Sequence, residues 1–324
     1  MKKFLMLTLV LMMGLLLCGC TDSREAADVE NEDFIVVGFS QVGAESDWRV
    51  ANTLSMQQAL SEKNGYKLII DDAQNKQERQ ITAIRNFIQQ EVDYIVLAPT
   101  TETGWDTVLA EAKAAGIPVI LVDRMIKVKD EELFTCWVGS DFYLEGKKAV
   151  EWMEEYFGDR EIRILHLQGN YGTTAQLGRT KGLDDGLANN PGWTLVHRQS
   201  GEFVQGKGQE LVEECIAGGI QFDVVYSEND NMAYGAIDAL KAAGLTPGED
   251  VFVVSFDASH NALQLTLAGE ISFDVECNPL HGPRVEDIIQ RLEKGSTPPK
   301  YTYVDETAFD SETITQEMID QREY

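Results

Sequence analysis

The chain has 324 residues, and its 54 acidic against 27 basic side chains give a formal charge of −27 with histidine neutral. A surface so negative repels nucleic acid and anionic lipid, so nucleic acid is not an expected partner, and the charge serves solubility instead. Hydrophobic residues make up 44% of the chain, which is long enough to bury two cores of ordinary domain size.

The amino terminus reads as an export signal. Met1-Lys2-Lys3 is a short basic region, and FLMLTLVLMMGLLL after it is apolar but too short and too close to the start for a membrane span. It ends in Leu17-Cys18-Gly19-Cys20, which resembles the lipobox of bacterial lipoproteins, where cleavage precedes the cysteine and diacylglycerol joins its sulfur. Bulky Leu17 makes Cys18 the poorer candidate. The expectation is a signal peptide over residues 1–19, lipidation of Cys20, and an extracytoplasmic protein anchored to the cell membrane. An ordinary cleaved signal with an incidental cysteine is the alternative. Residues 20–33 hold TDSREAADVENED, acidic and poor in large apolar side chains, and are expected to form a disordered tether.

From residue 34 the pattern is strand, helix, strand, helix. FIVVGFS precedes a helical stretch, WRVANTLSMQQALSEK, closed by Asn64-Gly65. YKLIID precedes KQERQITAIRNFIQQ, in which Ile81, Ile84, Phe87 and Ile88 recur at helical spacing. VDYIVLAP, TGWDTVLAEAKAAG and IPVILVD follow. After a polar passage the scheme repeats through CWVGSD, YLEGKKAVEWMEEYF, IRILHLQG, TTAQLGRTKGLDDGLAN and TLVHRQSG. It continues with VQGKGQELVEECIAG, FDVVYSEND, NMAYGAIDALKAAG, VFVVSFD, NALQLTLAGE, ISFDVE and LHGPRVEDIIQRLEKG. Short continuous β-branched runs between amphipathic helices predict parallel sheets covered on both faces, here two doubly wound α/β lobes of similar size.

Ligands of such sheets bind beyond the carboxyl ends of the strands. Those positions carry Ser40 and Gln41, Thr100 and Thr101, Asp123 and Arg124, Gln168, Asn229, Asp257 and Glu276, with Arg179 in the helix after Gln168. The first loop adds Glu45, Ser46, Asp47, Trp48 and Arg49. Amides, carboxylates and guanidiniums satisfy the paired donors and acceptors of vicinal hydroxyls, and an indole face packs on sugar C–H groups. Singly, Asp257 could cap a helix, Arg124 could pair at the surface and Trp48 could anchor a helix. Their recurrence at one topological place in both halves favours a polyol site.

Catalytic signatures are absent: the chain has no Gly-x-Ser-x-Gly, no His-Glu-x-x-His and no phosphate loop. His166 lies within an apolar strand and is expected to be a hydrogen-bonded core residue. Asp71-Asp72 and Asp184-Asp185 read as a strand end and a solvated helix face, so neither a metal nor a cofactor is expected. Cys136, Cys215 and Cys277 lack zinc spacing and are expected to be buried free thiols.

The segments GFSQVGAESDWR, IPVILVDR, YSENDNMAYGAIDALKAAG and VVSFDA resemble the ribose-binding (LacI-like) type of periplasmic sugar-binding protein, over residues 34–305. The first loop, with LAP and TGW further on, is similar to the galactofuranose-binding members that serve bacterial ABC importers. The resemblance implies a type I periplasmic binding protein fold, with two Rossmann-like lobes joined by a three-strand hinge and closing on one sugar. It implies lobes of 34–138 with 278–303, and of 139–277 with 304–324. It places the sugar contacts on Glu45, Ser46, Asp47, Trp48, Arg49, Asp123, Arg124, Arg179, Asn229 and Asp257, with Glu276 beside the hinge. Asp47 departs from the galactofuranose-binding pattern that the first loop otherwise resembles, where glycine stands. The expected function is monomeric capture of a monosaccharide, a furanose such as galactofuranose, for an ABC permease and its ATPase, without catalysis. A sugar-sensing subunit for a receptor kinase or chemoreceptor is the first alternative, and a hydrolase or isomerase on the same fold is the second.

Overall fold

The computed structural model describes residues 34–324, so the expected signal peptide, Cys20 and the tether lie outside the described residues. In chain order the first half runs β1 Ile35–Gln41, α1 Asp47–Ala59, β2 Tyr66–Asp72, α2 Gln77–Gln89, β3 Tyr94–Leu97, α3 Asp106–Ala114, β4 Val119–Val122 and β5 Cys136–Gly139. The second runs α4 Phe142–Phe157, β6 Ile162–Gln168, α5 Thr174–Asn189, β7 Trp193–Ser200, α6 Gln205–Ala217, β8 Val224–Ser227, α7 Asp230–Ala242 and β9 Phe252–Asp257. There follow α8 His260–Leu267, β10 Phe273–Glu276, α9 Gly282–Glu293, β11 Tyr301–Tyr303, β12 Ala308–Phe309 and α10 Gln316–Asp320.

These strands form two six-stranded sheets, ordered β11-β5-β4-β3-β1-β2 and β12-β10-β9-β8-β6-β7. The alternation of side chains along β3 shows why both faces are covered. Ile95 and Leu97 pack with Phe87, Trp105 and Leu109 of the α2/α3 side, and Val96 between them packs with Met56 and Val285 of the α1/α9 side. All pairings are parallel except that of β12 with β10, which is antiparallel. The helix expected after β1 is shorter than its apolar pattern predicts. It stops at Ala59, and a separate 3-10 turn, Glu62–Asn64, ends at Gly65 with φ 85°, a left-handed conformation that glycine adopts freely.

The chain passes between the sheets three times, after β5, after β10 and after β11. The carboxyl ends of both sets of strands therefore lie near the crossing segments. His166 is fully buried, with Nε2 2.9 Å from Glu228 Oε1 and Nδ1 accepting from Arg198, in the core role expected of it. Cys136, Cys215 and Cys277 are buried free thiols.

Candidate ligand-binding site

Trp48 and Arg49 enter the cleft because α1 begins at Asp47 and carries them in its first turn. Ser46 caps the helix, its Oγ accepting from the Arg49 amide at 3.3 Å, so the side chains of the first turn fall over the end of β1. The Trp48 Nε1 donates to the Cys277 carbonyl at 2.7 Å, and the Arg49 guanidinium lies 4.6 Å from the centre of the indole. Arg49 also donates to Asp123 Oδ2 at 2.8 Å and to Gln41 Oε1 at 3.2 Å, with Glu45 at 3.6 Å. Burial acts to lower its pKa, but Asp123 and Glu45 outweigh it and the pKa is raised.

Asp123 and Asp257 occupy equivalent places, one at the end of β4 and the other closing β9. Both have left-handed backbones, with φ 63° and 116°. Non-glycine residues hold such conformations at a cost of about 1–3 kcal/mol, kept only where the surroundings require them. Here the turn brings two buried carboxylates to the mouths of facing sheets. Asp257 accepts from Arg179 Nη2 at 3.4 Å, and burial holds its pKa well above the ordinary carboxylate range despite that arginine. Arg179 in turn donates to Glu145 at 2.7 Å and to the Glu228 carbonyl. Asn229 caps α7 through its Oδ1, which accepts from the Met232 amide, while its Nδ2 donates to the Phe203 carbonyl at 3.2 Å.

Arg124 differs from the other two arginines. It is buried, its Nε lies 3.8 Å from Asp123, and its Nε and Nη1 have no hydrogen-bond partner. Burial first, and the nearby Arg49 next, lower its pKa to about 10, so it remains a cation at neutral pH. Glu45 Oε2 and Arg49 Nε are likewise buried without partners. Each such group costs about 1–3 kcal/mol until something hydrogen-bonds it. A ligand with several hydroxyls, able both to donate and to accept, meets that demand.

The cavity is lined by Glu45, Ser46, Trp48, Arg49, Asp123, Arg124, Arg179, Asn229 and Asp257, which were singled out in the sequence. Phe142, Ala175, Phe203 and Cys277 complete it. Asp47 lies outside this lining: its side chain is exposed, and its backbone amide donates to Asn231 Oδ1 at 3.0 Å across the cleft. Glu276 also lies outside it. Its carboxylate accepts from Arg322 at 2.7 Å, Tyr324 at 3.0 Å and the Thr307 amide at 3.2 Å, and Cys277 one residue on faces the cavity in its place. A shift of one residue reverses the face along an extended chain. Phe203 was missed because it sits in a loop that carries no period. Its signal was a large apolar residue following Ser200-Gly201-Glu202 at a strand end. Ser40, Gln41, Thr100, Thr101 and Gln168 also lie outside the lining. Little room is left between these residues, ≈ 30 Å³, so a sugar-sized ligand needs the walls to part.

Residues 37–281 match a family model described as the periplasmic binding protein domain. The galactofuranose-binding protein YtfQ of Escherichia coli (strain K12) is 39% identical over 288 residues, covering 88% of this chain and 90% of that protein. A Mycobacterium smegmatis protein solved in complex with β-D-fucofuranose is 40% identical, with a TM-score of 0.83 over 86% of this chain and 92% of that one. The periplasmic binding component of the arabinose ABC transporter from Shewanella sp. ANA-3, bound to α- and β-L-arabinofuranose, is also 40% identical. Its TM-score is 0.84, over 89% of this chain and 95% of that one. The matched family and these relatives are binding proteins rather than enzymes. Among the described residues no helix is long and apolar enough to cross a membrane.

Proposed function

The chain belongs to the periplasmic binding protein domain family, extracytoplasmic proteins of the type I two-lobed fold, and we propose that it captures a monosaccharide in its furanose form. Galactofuranose is the first candidate, with arabinofuranose and fructofuranose next. The protein hands the sugar to an ABC permease driven by its ATPase, acts as a monomer, and is held to the membrane by lipid on Cys20. Its lobes, residues 34–138 with 278–303 and residues 139–277 with 304–324, part and close about the crossing segments to admit the ligand.

One observation carries the reading. Buried, unpartnered atoms of Arg124, Arg49 and Glu45 converge beside the Trp48 indole, between two carboxylates on facing sheets. An apolar platform with separate polar groups suits a small ring bearing an exocyclic chain, and site groups left unpaired by an ill-fitting ring discriminate against it. The furanose form is supported by the sugars with which the relatives are named or solved. Calorimetry with sugars locked as methyl glycosides tests it: the methyl furanoside binds at micromolar strength or tighter, about −8 kcal/mol, and the methyl pyranoside does not. Tight binding of the pyranoside alone overturns the reading. The anchor is checked separately by mass spectrometry of the mature amino terminus, where an unmodified residue other than Cys20 ends that part of the proposal.

A further inference from the structure

Beside the cavity just described lies a second and larger chamber, open to solvent and ≈ 600 Å³, that the capture of a monosaccharide leaves unused. One wall comes from the strand ends of the first sheet, with Asn75, Gln77, Thr100 and Thr101. The other comes from those of the second, with Asn170, Tyr171 and Ser200. The two chambers are one residue apart on the second sheet's side, where Phe203 lines the first and Glu202 the second. On the other side Glu45 Oε2 and the Asn75 amide lie 2.9 and 3.7 Å from the place where a Cβ of Gly43 would stand.

The chemistry of this chamber is selective. Its lining is amide, hydroxyl and aromatic, and its single charge, Glu202, is taken by Lys207 at 2.5 Å. With no free charge, that set suits a neutral polyol. Thr100 is 4% exposed and Asn170 is 8% exposed, and their Oγ1 and Nδ2 atoms, screened from water at the edge of this lining, have no hydrogen-bond partner. The walls are nevertheless fixed. Gln80 accepts from the Thr100 amide at 2.9 Å, and the Ser200 hydroxyl donates to the Gly169 carbonyl at 2.6 Å. The Tyr171 hydroxyl accepts from the Ser200 amide at 3.2 Å, which holds the ring while 65% of the residue stays exposed. An aromatic face fixed in this way, beside unpaired neutral groups from both sheets, is the equipment of a carbohydrate contact.

We propose that this chamber is a second carbohydrate subsite, which takes a glycosyl unit attached to the furanose held in the first cavity. The cargo is then a short furanose-containing oligosaccharide or glycoside as well as the free sugar. The inference rests on the furanose reading of the first cavity, and the test separates the two. Calorimetry compares methyl β-galactofuranoside with the methyl glycoside of a galactofuranose disaccharide, on the wild type and on the Tyr171→Ala and Thr100→Val variants. The expected result is that the disaccharide binds at least as tightly as the monosaccharide, and that each variant weakens the disaccharide about tenfold while the monosaccharide stays within about twofold. A disaccharide that is excluded while the monosaccharide binds overturns the inference, as do variants that leave disaccharide affinity unchanged or weaken both ligands equally. If neither furanoside binds the wild type, the reading of the first cavity fails and this inference fails with it.

Discussion

Arg124 is the cleft residue whose loss is expected to cost binding most, because, of the three buried arginines there, it has the most distant carboxylate partner, Asp123 at 3.8 Å. Arg49 has Asp123 at 2.8 Å and Arg179 has Glu145 at 2.7 Å, whereas Arg124 has two unpartnered nitrogens. Arg124→Ala is expected to weaken sugar binding by about 1.5–3 kcal/mol, the range for hydrogen bonds to a charged group. It should leave thermal stability unchanged or raised, since a buried cation that its carboxylate neighbours compensate only in part is removed. Leu263→Ala is the contrast. Leu263 is fully buried against Phe309, Ile314 and Ile319, so it should cost about 2–5 kcal/mol of stability without altering affinity in the protein that remains folded. A folded Arg124→Ala protein that binds like the wild type would show that the cavity has been misplaced. Most of the cavity lining was legible because polar residues at strand ends stand out against apolar runs. Glu276 was legible as a letter but not as a partner: Arg322, which neutralises it, returns from 46 residues further on, and Tyr324, which donates to it, from 48. Phe203 gave no periodic signal at all.

Helix α5 shows what an element can hide. Gly178, Gly182 and Gly186 recur every fourth residue and face α4, where a Cβ on Gly182 would stand 2.6 Å from the Gly146 carbonyl carbon. A Cβ on Gly178 would stand 2.6 Å from Phe142 Cβ, and one on Gly186 2.8 Å from Val150. The bare stripe lets the two helix backbones touch. That contact sets Arg179 of α5 against Glu145 of α4, and so aims the guanidinium at Asp257. Gly182→Val is therefore expected to lower the unfolding midpoint in urea by the equivalent of about 1–3 kcal/mol, or more where the backbones cannot part. It should also weaken sugar binding, read by calorimetry on the folded fraction. An unchanged midpoint would mean that the helices are not held by this contact. The strands and the amphipathic helices were readable from periods of two and 3.6. The packing of α5 was not, since glycine adds nothing to an apolar pattern. Nor was β12, two residues pairing antiparallel with β10, too short for any period.

Across the whole molecule the two sheets are tied at the three crossing segments, and one carboxylate joins all three. Glu306 follows β11. Its Oε1 accepts from the Ser140 hydroxyl, after β5, and from the Asn278 amide, after β10, both at 2.6 Å. Ser140 Oγ also lies 3.4 Å from Cys277 Sγ. Burial, and next the charge of Glu145, raise the Glu306 pKa from 4.5 to about 8, with Glu276 adding to the repulsion; Lys148 binds its backbone carbonyl rather than its carboxylate. If parting the lobes lets water reach the crossing segments, the pKa falls toward its ordinary value in the open form, and the closed form holds this proton more tightly than the open form does. Near the ordinary carboxyl range both forms are protonated. As the pH rises the open form releases its proton first, and the closed form keeps its own until about pH 8. Over that window each increment of pH favours opening; above it both forms are ionised and the preference levels off. Sugar affinity, which requires closure, is therefore expected to fall between about pH 5 and pH 8 and then to flatten. Glu306→Gln keeps an oxygen that accepts from Ser140 and Asn278 but cannot ionise, so its affinity profile should be flatter than that of the wild type and its affinity higher at the alkaline end. Dissociation constants for one methyl furanoside across this range decide the matter, with circular dichroism confirming that both proteins stay folded. Identical pH profiles for the two would show that Glu306 ties the crossing segments together without sensing protons.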